Sequence, residues 1–143
     1  MYLLDTNVIS ELRKVRIGTC NPSVMLWADR LDQRAFYLSV ITVLEMQIGL
    51  LRLERIDKRQ AATLREWVHG YVLSALRDRI LQVDVPIALR CAAFHVPDRR
   101  PERDALIAAT AAEHGLIVAT RNIKDFESTG VACLNPWEFG HAS

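Results

Sequence analysis

Apolar residues recur along this chain with two periods, and the alternation between them predicts an α/β fold. Tyr2, Leu3 and Leu4 open as a short apolar strand, and the chain turns polar at Asp5, Thr6 and Asn7. Asn7 to Lys14 suits a short helix. In "NPSVMLWADRL", Asn21 is an N-cap and Pro22 takes the first helical position, a favourable start for a second helix. "AFYLSV" at 35–40 has the aromatic and β-branched content of a strand. Beyond Thr42, the residues Val43, Met46, Leu50 and Leu53 fall at helical spacing. Residues 58 to about 77 predict a long amphipathic helix with Leu64, Trp67, Val68, Tyr71 and Leu76 on its apolar side. "RILQVDV" at 79–85 reads as an edge strand.

Two more helices follow, "PIALRCAAFHV" and "ERDALIAATAAEHG", the second stopped by Gly115. "LIVAT" at 116–120 is apolar almost throughout, as strands are when helices cover both faces of a parallel sheet. "VACLNPW" predicts a last strand. No repeat, linker or low-complexity tract interrupts the pattern. A single domain over residues 1–143, built on a central, mainly parallel sheet flanked by helices on both faces, accounts for it.

Composition narrows the class. At 143 residues, half of them hydrophobic and 24% charged, the chain can bury a sizeable core and is not of disordered type. A formal charge of +1 gives no overall basic field. The local clusters Arg13-Lys14-Arg16, Arg52-Arg55-Lys58-Arg59 and Arg99-Arg100-Arg103 suit solvated faces, or a basic rim around an acidic centre. Cys20, Cys91 and Cys133 are scattered without a C-x-x-C pair, which argues against a disulfide framework or structural zinc and for a reducing compartment. Asp5 and Glu11 stand where a signal peptide needs a basic start and an apolar run. No apolar stretch approaches the roughly 18 residues of a membrane span. The expected location is the cytoplasm, away from membranes.

Candidate chemistry sits at strand ends and helix starts, where an open α/β sheet forms its ligand crevice. Asp5 ends the first strand. Thr120, Arg121 and Asn122 follow another, with Asp125 three residues on. Glu45 lies early in the helix after the second strand, and Asp104 in the first turn of an Ala-rich helix. Each has an ordinary explanation. Asp104 and Glu45 favour a helix dipole, Asp5 can cap the helix after it, and Asn122 and Asp125 are common turn residues. Together they ask for more, because converging carboxylates repel one another unless protons or a cation neutralise them. A hard divalent ion with oxygen ligands is the expected partner, and Mg2+ suits best. His69, His95, His114 and His141 show no metal-ligand spacing.

The segments "LLDTNVISEL", "LSVITVLEMQIGL" (38–50), "RDALIAATAAEHGLIVATRNIKDFE" (103–127) and "NPW" (135–137) resemble the PIN-domain family over nearly the whole chain. Within that family the chain looks like a VapC-type toxin ribonuclease close to the FitB branch. The resemblance implies a Mg2+-dependent (or Mn2+-dependent) endoribonuclease of a type II toxin–antitoxin pair. It carries the family's acidic cluster onto Asp5, Glu45 and Asp104. A fourth position, often Asp in the family, falls at Asn122, which weakens the case for a second firmly held metal. Asp125 is then an outer-shell candidate, and Thr6, Asn7 and Thr120 are supports that orient carboxylates. Arg13, Arg121, Arg99, Arg100 and Arg103 are candidate contacts for RNA phosphates.

The resemblance also implies a homodimer and a cognate VapB- or FitA-like antitoxin filling the active-site groove. Its basic residue would enter the carboxylates, and an apolar segment would pack near Leu50, Leu51 and Leu53. Operator DNA would be reached only through the antitoxin, in a higher assembly. A metal held by the carboxylates would polarise a phosphoryl oxygen and activate water, with no side-chain nucleophile needed. Single-stranded or loop RNA is the expected substrate. Two other classes compete. One is a PIN-like module that binds RNA without cutting. The other is a phosphoacceptor receiver domain, which would need a further Asp at a central strand end; Asp57 lies instead in the polar, helical "RLERIDKRQ".

Overall fold

In the computed structural model, which describes residues 1–140, Leu3 and Leu4 show how the molecule is layered. Both are buried, at 0% and 1% exposure. Neighbours in a strand point to opposite faces, so both faces of β1 (Tyr2–Leu4) must be covered. On one face Leu4 joins Val8, Ile9, Trp27, Leu38, Met46, Val68 and Val72. On the other, Leu3 joins Ile107, Ala108, Ala111, Val118 and Phe126. The result is a sheet between two helical layers, as the two-sided burial of its apolar strands demands.

Helices α1 (Thr6–Arg13) and α2 (Pro22–Asp29) precede β2 (Phe36–Ser39). Then come α3 (Val40–Glu54), α4 (Lys58–Arg65), α5 (Leu73–Ala75), β3 (Ile80–Leu81), α6 (Val85–Phe94) and α7 (Glu102–His114). Strands β4 (Ile117–Ala119) and β5 (Cys133–Leu134) complete the set. The sheet order is β3-β2-β1-β4-β5, and every paired neighbour is parallel. The expected α/β architecture is the one observed, with the 79–85 strand at an edge but reduced to two residues. His141 lies outside the described residues.

Local chemistry explains the boundaries. Asn21 caps α2 through its Oδ1, which accepts the Ser23 and Val24 N–H groups at 2.9 and 3.2 Å. Gly115 ends α7 at φ 66°, where a Cβ would be strained. Helix α3 begins two residues before the expected Thr42, because the Ser39 hydroxyl accepts the Ile41 N–H at 3.0 Å and stops β2. The single helix expected over 58–77 is broken. Glu66–Val72 winds as a π-helix between α4 and α5. That wider turn carries Val68, Val72 and Leu76 into the core and leaves Tyr71 at the surface, beneath the Arg16 guanidinium at 4.2 Å. The last strand is also shorter than "VACLNPW", since Asn135 caps a 3-10 turn that starts at Pro136.

Helix α7 lies close to its neighbours because its inner face is small. Ala105 and Ala109 pack on Ile87 and Cys91 of α6, while Ala108 and Ala111 face the sheet. This close approach sets the first turn of α7, and with it Asp104, beside the ends of the central strands.

Candidate active site

From β1 the chain steps to β2 and β3 on one side, and β4 and β5 lie on the other, so β1 and β4 flank the switch point of the sheet. Ligands of open α/β sheets bind outside the carboxyl ends of the strands at such a point. Asp5 and Thr120 are the first residues past β1 and β4. The ladder runs on to Asp5, whose N–H donates to the Ala119 carbonyl at 2.9 Å.

Asp5 is 8% exposed and caps α1. Its Oδ1 accepts the Thr6 N–H at 2.9 Å. Its Oδ2 accepts the hydroxyl of Thr120 at 2.8 Å and the Asn7 amide at 3.4 Å. Capping therefore accounts for one oxygen only; the other is aimed at β4. Burial lifts the Asp5 pKa, the bonds from Thr120, Thr6 and Asn7 pull it back in part, and the Asp125 charge adds to the lift.

Thr6 links Asp5 to the next carboxylate, because its hydroxyl donates to Glu45 Oε1 at 2.9 Å. Glu45 Oε2 faces Arg103 Nη1 at 3.9 Å. Asp104 is half-buried, and its pKa is pushed up to about 6, first by desolvation and then by the charges of Asp5, Asp125 and Glu45. Four carboxylates from distant parts of the chain thus share one electrostatic neighbourhood. Asn122 is exposed at the rim, and its N–H donates to the Thr120 hydroxyl at 3.0 Å. Asn7 ties the same loop down by accepting the Arg121 N–H at 3.1 Å.

Oxygen donors of this kind fit a hard divalent cation, and the carboxylates retain a mutual repulsion that such an ion would relieve. Among the described residues, however, no three His, Cys, Asp or Glu side chains already stand at metal-holding spacing. Glu45 directs one oxygen to the Thr6 hydroxyl and the other toward Arg103.

Of the five candidate arginines, one is ion-paired with a carboxylate of the group: Arg103, with Glu45. Arg121 stands over the Trp137 ring at 5.0 Å, a pairing that the sequence did not reveal beyond the "NPW" string. Arg13 lies 5.9 Å from the Trp67 ring and lines a separate apolar cavity of about 280 Å³ with Leu12, Phe36 and Val72. Arg100 is engaged in holding its own loop: its Nε donates to the Phe94 carbonyl at 2.6 Å and its Nη1 to the Ser128 hydroxyl. Arg99 is exposed in the same loop. Leu50, expected to receive a partner, is fully buried in the core, which leaves Leu51 as the exposed leucine of that stretch at 48%. Among the described residues no helix is long and apolar enough to cross a membrane.

A buried strand-end aspartate at the switch point, bonded to a threonine after β4 and near three further acids, defines an acidic-crevice α/β protein. Residues 2–131 match the PIN domain, and the chain belongs to the PIN-domain family. It is 37% identical to "VapC ribonuclease Y4jK" of Sinorhizobium fredii, over 96% of this chain and 99% of that one. "Toxin FitB" of Neisseria gonorrhoeae is likewise 37% identical, with the same coverage. A solved structure of FitAB bound to a DNA fragment superposes with a TM-score of 0.87 at 36% identity, covering 100% of both chains.

Proposed function

We propose that the chain is the toxin of a type II toxin–antitoxin pair of the VapBC or FitAB kind. It hydrolyses RNA phosphodiester bonds as a Mg2+- or Mn2+-dependent endoribonuclease. The observation that carries the reading is Asp5, a buried carboxylate aimed across the switch point and held by Thr120 at 2.8 Å. Its likeness to a named ribonuclease and a named toxin over nearly full length supports the activity and the pairing.

In this reading Asp5, Asp104 and Glu45 hold the cation, Glu45 directly or through water. Asn122 contributes a neutral amide, and Asp125 adds charge from the outer shell. The ion supplies Lewis acidity at a phosphoryl oxygen and a more acidic bound water. The protein supplies the position. Thr120 and Asn7 fix the Asp5 carboxylate, and Thr6 holds Glu45 against α1. Arg103 and Arg121 face RNA phosphates at the rim. The whole chain acts as one domain in the cytoplasm, as a homodimer. Its VapB- or FitA-like antitoxin occupies the crevice and brings operator DNA to the assembly.

The test is cleavage of single-stranded RNA by the purified chain with Mg2+, with EDTA, and after Asp5→Asn, Glu45→Gln or Asp104→Asn. Each substitution should lower the rate by more than the roughly 10- to 100-fold typical of outer-shell partners of a metal. Cleavage that survives both EDTA and Asp5→Asn would refute the reading. A second reading, an RNA-binding PIN module that does not cut, draws on the neutral Asn122 and on the unassembled carboxylates. RNA binding without cleavage under all conditions would favour it.

A further inference from the structure

We propose that Arg103 is a tethered counter-cation of this site, one that a divalent metal must displace from Glu45 before the carboxylates can close. The inference rests on the proposed metal site. Glu45 has two oxygens with two partners: Oε1 takes the Thr6 hydroxyl at 2.9 Å, and Oε2 faces Arg103 Nη1 at 3.9 Å. The first is a hydrogen bond. The second is too long for one and is a loose ion pair between side chains that are 51% (Arg103) and 26% (Glu45) exposed. Such a pair exchanges readily.

Among the described residues, no other arginine forms an ion pair with a carboxylate of the crevice. Arg34, Arg65 and Arg90 pair with Asp32, Glu54 and Glu113. Arg100 holds its loop, and Arg121 lies on Trp137. Arg103 is thus the cation placed against a carboxylate of the crevice. It also precedes Asp104 in the first turn of α7, so it cannot leave the neighbourhood when it lets go of Glu45.

Electrostatics then fixes the sign. A guanidinium paired with Glu45 occupies a ligand that the incoming divalent ion needs, so Arg103 raises the metal concentration at which the site fills. Once displaced, its planar fork is free at the rim for a phosphate oxygen. Arg103 is a positioning residue for the metal and a binding residue for RNA.

Calorimetric titration with MnCl2 of the purified full-length chain tests this without reference to turnover. Arg103→Gln should tighten Mn2+ binding about two- to fivefold. Arg103→Lys, which keeps the charge, should stay near the wild-type value. In a Glu45→Gln background Arg103→Gln should change nothing, and in the wild-type background it should raise the KM for RNA. Unchanged or weaker Mn2+ binding in Arg103→Gln overturns the proposal, as does tightening that persists without Glu45. If the wild type binds no Mn2+, or Asp5→Asn binds it equally well, the metal site itself fails. If Asp5→Asn abolishes binding while Arg103→Gln matches wild type, only the role of Arg103 fails.

Discussion

The Thr120 hydroxyl donates to Asp5 Oδ2 at 2.8 Å, joining residues 115 positions apart in the chain. The same hydroxyl accepts the Asn122 N–H at 3.0 Å, so one oxygen locks the end of β1 to the loop after β4. Thr120→Val keeps the shape and removes the donor, leaving a buried carboxylate short of a partner. Loss of such a bond to a charged group costs about 1–3 kcal/mol. The urea midpoint at pH 7 should fall accordingly, and the deficit should shrink in acid as Asp5 is protonated. Thr120→Ser should retain most of the stability. An unchanged midpoint in Thr120→Val would mean that the bond contributes nothing.

Asp104 makes stability depend on pH in a defined direction. Its pKa in the fold is about 6, against an ordinary value of 3.8. A raised acid favours the fold below its unfolded pKa, and that contribution is lost as pH rises through the folded one. The window therefore runs from about pH 4 to about pH 6. Removing the charge with Asp104→Asn should stabilise the metal-free protein above pH 7 by about 1 kcal/mol, after a discount for the exposed part of the side chain. Near pH 4 the advantage should vanish. Melting temperatures at the two pH values check it, and an equal gain at both would show that charge is not the cause.

Asn122 is exposed beside the Thr120–Asp5 pair and carries no charge. Asn122→Asp adds a negative charge at the rim, so it should lower the Mg2+ concentration needed for half-maximal cleavage, on the order of a few-fold. A Mg2+ titration of initial rates measures this. An unchanged or higher requirement would put position 122 outside the metal's surroundings.

An antitoxin that silences the crevice with a basic side chain would compete with the metal for Asp5, Glu45 and Asp104. Arg fits best, because its fork binds carboxylates through two parallel bonds. Inhibition measured with the cognate antitoxin should weaken as Mg2+ rises. Replacing the inserted basic residue should restore cleavage while the complex persists on a sizing column. Inhibition that is indifferent to Mg2+ and to every basic residue of the antitoxin would identify a steric block instead.

Much of this protein was legible in one dimension, because it depends on local rules. The apolar runs at Tyr2–Leu4, 35–40 and 116–120 imply strands covered on both faces, and Asn21-Pro22 and Gly115 mark helix ends through their own backbone preferences. Asp5 stood out because a carboxylate ends an apolar strand. Other features depend on packing. The π-helical turn at Glu66–Val72 lets Val68, Val72 and Leu76 reach one core, a demand set by the neighbouring elements rather than by the helix. The resemblance named Thr6, Asn7 and Thr120 as supports of the carboxylates, but which carboxylate each one holds was out of reach of the sequence. Thr120 lies 115 residues from Asp5, and Thr6 lies 39 from Glu45. Periodicity reports which face of an element is buried; only the sheet order, by setting β4 against β1, decides which side chains meet across the crevice. The same holds for Arg103, whose charge was plain from the sequence but whose distance to Glu45 follows from how closely the small residues of α7 let that helix approach the core.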